Sequence, residues 1–253
     1  MIGLIIFFMS ENFFINANER LDNLNFSNYK IIQDPQKFCF GLDSVLLANF
    51  VRAKKNDTII DLGCGNGVIC ILLAAKLNVK KIVGLEIQNE CVDLARRNIL
   101  LNNLQDKIEI IHGDVKNIGQ NYKNKFDVVV TNPPYLNSGA INKNMAKAIA
   151  RHEILCNITD VISNAAAVLK NGGKFFMVHR PQRLTDIFYF MRKFNLEPKT
   201  LQIVHSFINL PSQLILIEGV KNSKSMLKIL PPLIIYDDDK NYTRQLKEIY
   251  ENF

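Results

Sequence analysis

Between Asp57 and Arg180 the chain repeats one pattern: a short run of β-branched and other apolar residues, a break, then a longer run with helical spacing. The β-rich runs are DTIIDLG (57–63), KKIVGLEI (80–87), KIEIIHGD (107–114), FDVVV (126–130) and KFFMVHR (174–180). VICILLAAKL (68–77) is apolar enough for a buried helix, and NECVDLARRNILLNNL (89–104) carries Val92, Leu94, Ala95, Ile99 and Leu100 on one helical face. ITDVISNAAAVLKNGG (158–173) reads as a helix closed by its two glycines, and RLTDIFYFMRKFN (183–195) as another helix. LEPKTLQIVHSF (196–207) and SQLILIEGV (212–220) read as two further strands. Strands alternating with helices need crossover connections, which produce a mostly parallel sheet with helices on both faces. The expected class is therefore α/β, doubly wound and Rossmann-like. Ligands of such sheets sit outside the carboxyl ends of the strands, near the point where strand order reverses. The unusual residues of this chain collect at those ends.

The first group is DLGCGNGV, Asp61 to Val68. Gly63, Gly65 and Gly67 fall between a strand and a helix, where glycine allows a tight turn and close approach of a ligand. A glycine loop alone is weak, since dinucleotide enzymes use a related pattern. Position 68, however, is Val where a dinucleotide loop carries its third spaced glycine. Asp61 also stands just before the loop, a poor neighbour for a pyrophosphate and a good one for an ammonium or a sulfonium. Glu86 ends the next strand, suitably placed to accept hydrogen bonds from ribose hydroxyls. Asp114 ends the third and can pair with an adenine amino group. Glycines, a ribose acid and an adenine acid on successive strand ends describe a cradle for S-adenosylmethionine.

The fourth strand runs into TNPPYL, residues 131–136. Prolines cannot extend a ladder, so the strand stops there. An exocyclic amino group is a poor nucleophile because its lone pair is delocalised. Hydrogen bonds from that group to the Asn132 side-chain oxygen and the Pro133 carbonyl draw the nitrogen toward tetrahedral geometry and aim its lone pair at a methyl donor. Pro133 and Pro134 hold both acceptors stiffly, and Tyr135 offers a face on which a planar base or amide stacks. The candidate catalytic residues are thus Asn132, Pro133, Pro134 and Tyr135, with Asn132 also bordering the cofactor.

The net charge of +7 favours an anionic partner, nucleic acid first. The five cysteines form no CxxC pair and the four histidines show no ligand spacing with them, so reduced, packed thiols and no metal are expected. MIGLIIFFM (1–9) is apolar but too short to cross a bilayer, and neither a basic flank nor a cleavage site accompanies it. A cytoplasmic protein without membrane association is expected, its oligomeric state unspecified.

The glycine loop with NPPY resembles class I S-adenosylmethionine-dependent methyltransferases acting on planar nitrogens. NERLD (18–22), FCFGLDSVLLANF (38–50), AIARHE (148–153), HRPQRL (179–184) and KILPPLIIYDDDKNYT (228–243) narrow the likeness. Together they resemble the bacterial valine-tRNA adenine-37 N6-methyltransferase family from about Asn18 to Asn252. The resemblance implies a seven-stranded Rossmann-like sheet ending in an antiparallel hairpin, and methyl transfer to an adenine N6 in tRNA. It implies a segment around Phe40, Leu42 and Asp43 that closes over the cofactor, and adds Phe40, Asp43, Ile87 and Val115 to the cofactor contacts. Residues 1–50 are then an extension with the capping segment, and 51–253 the catalytic domain. Lys143, Lys147 and Arg151, spaced by four, with His152, are candidates for RNA contact, as are Arg180 and Arg183.

Other readings remain open at this point. A glutamine N5-methyltransferase for a release factor carries a helical domain ahead of its cofactor domain, and only 60 residues precede Asp61 here. An rRNA amino-group methyltransferase shares NPPY. A DNA methyltransferase leaves no room for a target-recognition domain, and a protein that binds RNA without turnover leaves NPPY without a task.

Overall fold

A computed structural model of the chain describes residues 15–24, 28–36, 39–134 and 157–251. Tyr135, Lys143, Lys147, Arg151, His152 and the first nine residues lie outside the described residues.

The chain opens with an antiparallel pair, β1 (Arg20–Asn23) and β2 (Lys30–Gln33), followed by α1 (Leu42–Phe50). Then come β3 (Thr58–Leu62), α2 (Val68–Lys76), β4 (Lys81–Glu86), α3 (Asn89–Leu101), β5 (Ile108–His112), α4 (Val115–Asn121) and β6 (Phe126–Thr131). After the undescribed stretch follow α5 (Ile158–Val168), β7 (Leu169–His179), a 3-10 turn (Pro181–Arg183), α6 (Leu184–Lys193), β8 (Leu196–His205) and β9 (Leu214–Lys221). Two short strands, β10 (Lys228–Ile229) and β11 (Leu233–Ile234), precede α7 (Arg244–Glu251). The sheet order is β5-β4-β3-β6-β7-β9-β8, and only β9 runs antiparallel to its neighbours. This is the doubly wound sheet expected from the sequence, with β10 and β11 added along β8.

Alternation along the strands separates two cores. Ile59, Val128, Val130, Phe176 and Val178 face one side, against α1, α2, α3 and α7. Ile60, Leu62, Val129, Phe175 and Met177 face the other, against α4, α5 and α6. Burial on both faces is why these strands read as nearly continuous apolar runs. Phe175 and Phe176 are both fully buried, on opposite sides of β7. Each ring contributes about 1.5–3 kcal/mol of burial.

The two glycines expected to close the helix of residues 158–173 do not. The helix stops at Val168, and the glycines belong to β7. Phe126 pairs with Leu169 and Val128 with Lys174, so Lys170 to Gly173 bulge opposite Asp127 alone. Gly172 takes a φ of 73°, the left-handed conformation that glycine adopts freely.

The β1–β2 hairpin joins the body through side chains. Asn98 on α3 accepts from the Ile32 N–H at 2.6 Å and donates to the Ile32 carbonyl at 3.1 Å, while also donating to the Asn66 carbonyl at 3.0 Å. One turn on, Asn102 repeats the clamp on Lys30, at 2.9 and 2.7 Å. Asn98 is fully buried, so Asn98→Ala is expected to strand backbone groups and destabilise the fold by about 2–4 kcal/mol, read from denaturant unfolding. Asn102→Ala, at a partly exposed position, costs less.

Candidate functional site

β3 hydrogen-bonds to both β4 and β6, so the segments leaving β3 and β6 flank one crevice at the carboxyl rim. The loop after β3 is pinned to β4: the Gly63 and Cys64 N–H groups both donate to the Leu85 carbonyl, at 2.9 and 3.0 Å. Gly65 sits at φ 55° with no described residue within 4 Å of where a Cβ would stand, so the glycine serves the turn. Gly67, at φ 83°, also lies 3.4 Å from the Ala95 side chain by the same measure.

Asp61 is wholly buried beneath this loop. Its Oδ2 accepts from the Cys70 thiol at 3.7 Å, and its Oδ1 has no partner among the described residues. Burial, against the Cys70 contact and with some repulsion from Glu86, pushes its pKa up to about 7. A buried carboxyl with an unused oxygen lacks a cation. The Asn66 amide nitrogen is likewise buried and unpartnered. Glu86 accepts from three backbone groups: Ile87 and Gln88 on Oε1, at 2.8 and 2.9 Å, and Gly65 on Oε2, at 3.0 Å. One lone pair on Oε2 is left for a ligand.

Beside it Ile87 is 42% exposed, an apolar side chain at the rim. Asp114 caps α4 by accepting from the Lys116 N–H at 2.9 Å, and Val115 is half-buried on the core of that side. Asp61, the three glycines, Glu86, Ile87, Asp114 and Val115 therefore share one rim.

Asn132 and Pro133 are half-buried at the end of β6, and Pro134 is exposed. Two contacts set Asn132 before any ligand arrives. The Thr131 hydroxyl donates to the Leu62 carbonyl at 2.9 Å, continuing the β3–β6 ladder by a side chain. The Asn132 Nδ2 donates to the buried Ser44 Oγ at 3.4 Å, which leaves Oδ1 as the group free to accept. Ser44 lies in the first turn of α1, with Asp43 accepting from its N–H at 2.9 Å. Phe40, just before α1, packs on the core and donates its N–H to the Gln33 side chain at 2.9 Å. Neither Ser44 nor Thr131 was singled out from sequence. Thr131 carries a signal in adjoining Asn132, and Ser44 in lying inside FCFGLDS.

At the end of β7, burial holds the His179 pKa down at about 4, so the ring is neutral and accepts from the Arg180 N–H at 2.8 Å. Arg180 donates to the Gln213 carbonyl at 3.0 Å and Arg183 pairs with Asp186 at 2.9 Å. Both arginines sit on the same rim, already engaged with protein. Among the described residues no cluster of His, Cys, Asp or Glu can hold a metal ion, and no helix is long and apolar enough to cross a membrane.

The model of the methyltransferase small domain family matches residues 28–195. Among curated proteins, the chain is 26% identical over 163 residues to the tRNA1(Val) (adenine(37)-N6)-methyltransferase of Proteus mirabilis, covering 64% of this chain and 65% of that one. The chain thus spans just under two thirds of the length of that relative. It is 24% identical to the Haemophilus influenzae protein of the same name, over 92% of this chain and 98% of the relative. Among solved structures, a predicted O-methyltransferase from Agrobacterium tumefaciens superposes with a TM-score of 0.68 at 23% identity, over 83% of this chain and 96% of that one. The TYW2 protein of Pyrococcus horikoshii, solved with MeSAdo, gives 0.56 at 15% identity, over 82% and 73%.

Proposed function

The chain belongs to the methyltransferase small domain family, and on that premise we propose that its carboxyl rim binds S-adenosylmethionine and directs the methyl group to the exocyclic N6 of an adenine in tRNA, at position 37 beside the anticodon. The observation that carries the reading is Asn132, held against the glycine-loop strand by Thr131 and turned by Ser44 so that its oxygen is the free end.

S-adenosylmethionine supplies an electrophilic methyl on a sulfonium. The residues of this chain do the rest. Asp61 Oδ1 takes the ammonium of the amino-acid end, the cation its buried carboxyl lacks. Glu86 holds the ribose through the lone pair left on Oε2, and Asp114 the adenine amino group, with Ile87 and Val115 against the ring. Phe40 and Asp43 close the near side. A target adenine turned out of its stack enters beside Pro133 and Pro134. Its amino hydrogens go to Asn132 Oδ1 and the Pro133 carbonyl, and Tyr135 stacks on the base. No general base precedes the transfer, because the proton leaves the nitrogen only after it becomes cationic.

For contact with tRNA we assign Lys143, Lys147, Arg151 and His152 from the sequence, with Arg180 and Arg183 at the end of β7. The protein is expected to work in the cytoplasm.

The test is transfer from labelled S-adenosylmethionine to unmodified total tRNA, followed by nucleoside analysis. N6-methyladenosine at position 37 of one tRNA is the expected product. Label appearing instead on a release-factor glutamine or on rRNA overturns the substrate and keeps the chemistry.

A further inference from the structure

The positive charge of the chain is not spread evenly. Because β3 to β7 run parallel, the segments feeding their amino ends meet along one rim, opposite the glycine loop, where the antiparallel β9 also ends. Segments 52–57, 80–81, 106–107, 123–127, 170–174 and 221–224 hold twelve Lys and Arg against three Asp, and with Glu109 and Glu218, which pair with Lys81 and Lys174, the net is +7. The whole chain also carries +7, so the remaining residues sum to zero.

The basic rim is continuous. The Lys80 N–H donates to the Asp57 carbonyl at 3.0 Å and the Lys125 N–H to the Val168 carbonyl at 2.9 Å, while Lys221 Nζ donates to the Asn124 side chain at 2.9 Å. A cleft of about 310 Å³ opens in it, lined by Arg52, Lys54, Lys170 and Lys174 with Asp57 and Asp127. Its carboxylates neutralise it only in part. Asp127 is taken by Lys170 at 2.7 Å and by Thr58 at 2.9 Å. Lys81 and Lys174 pair with Glu109 and Glu218, at 3.5 and 3.3 Å. Lys54, Lys55, Lys80, Lys123 and Lys125 are exposed and make no ion pair with any described residue. Burial, then the nearby Lys123 ammonium, holds the Lys221 pKa below its usual value, a mark of crowded cations. Like charges gathered on one surface repel one another, and a polyanion relieves the repulsion.

We propose that this amino-terminal rim is a docking surface for the phosphates of the substrate RNA, distant from the reacting base; the proposal rests on the reading that the substrate is tRNA. The six residues of β4, at ~3.3 Å each, put the two rims about 20 Å apart. A folded RNA lying along the flank of the sheet reaches past that distance. A tRNA can therefore offer its anticodon-loop base to Asn132 and, beyond that arm, lay the backbone of its body on the lysines.

The experiment compares the normal protein with a variant carrying Lys54→Glu, Lys55→Glu, Lys123→Glu and Lys125→Glu, on full-length unmodified tRNA and on an isolated anticodon stem-loop. Affinity for full-length tRNA is expected to fall at least tenfold at about 0.1 M salt, and the slope of log K against log salt to lose about 0.7–0.9 per phosphate contact removed. Affinity for S-adenosylmethionine, kcat at saturating tRNA and kcat/KM on the stem-loop stay as they were. A Lys54→Gln, Lys123→Gln double variant gives a smaller change in the same direction and guards against misfolding of the first. Unchanged affinity and slope on full-length tRNA overturn the docking surface and leave the substrate reading standing. Lysine-dependent RNA binding without methylation of any RNA overturns the substrate reading and leaves the docking surface.

Discussion

Asn132→Ala is expected to lower kcat for methyl transfer to tRNA by about 100- to 1,000-fold, the cost of deleting one preorganised polar contact from a transition state. Affinity for S-adenosylmethionine falls far less, because the glycine loop, Asp61 and Glu86 are untouched. Asn132→Asp keeps an acceptor but loses the Nδ2 that donates to Ser44. It also places a negative charge beside the reacting amino group, and its rate is expected to fall between those of the alanine variant and the normal protein. Single-turnover rates with saturating cofactor, paired with calorimetric cofactor affinities, separate the two effects. An alanine variant that keeps most of its rate would remove the amide from the mechanism.

Asp61→Asn is expected to weaken S-adenosylmethionine binding by roughly 30- to 100-fold, the loss of a charge-assisted contact of about 2–3 kcal/mol. It also changes the pH dependence. With the carboxyl pushed up to about 7 in the ligand-free fold, the ionised form that a cation requires is depleted below that pH. Affinity in the normal protein then drops up to tenfold for each pH unit below 7, while the asparagine variant stays flat.

The sign for stability runs the other way. The folded state keeps a proton that the unfolded chain, at 3.8, has already released, so the normal protein loses stability as pH rises from about 4 to 7. At pH 8 the asparagine variant, with no charge to bury, is expected to melt higher than the normal protein despite binding its cofactor worse. Thermal melts at pH 4 and pH 8 check it: the gap closes at the lower pH. Equal melting at pH 8 would place the true pKa near the ordinary carboxyl value.

Much of the sheet was legible because short, nearly continuous apolar runs ending in acids and glycines mark parallel strands that deliver a loop to the rim. The candidate cofactor residues were legible for the same reason, each lying at or just beyond the carboxyl end of a strand. What escaped was set by pairing across the sequence. The glycines at 172 and 173 carry the mark of a helix end, and only the register of β6 against β7 makes them a bulge. The helix α4, Val115–Asn121, has a single buried residue, Ile118, and so no apolar periodicity to find. Ser44 and Asn132 are 88 positions apart, and nothing local to either announces the contact.

The two asparagines of α3 have a consequence for how this chain can drift. A β-strand normally shares its specificity with a neighbouring strand, through cross-strand side-chain pairs. Here the backbone of Lys30 and Ile32 is read by side chains from a helix, through groups that every residue but proline presents. The helix side of the joint is intolerant, whereas these hydrogen bonds ask of Lys30 and Ile32 only that neither be proline, and burial constrains the side chains of Ile31 and Ile32 separately. The information that attaches the first strands to the body is stored some 66 to 72 residues downstream of where it acts.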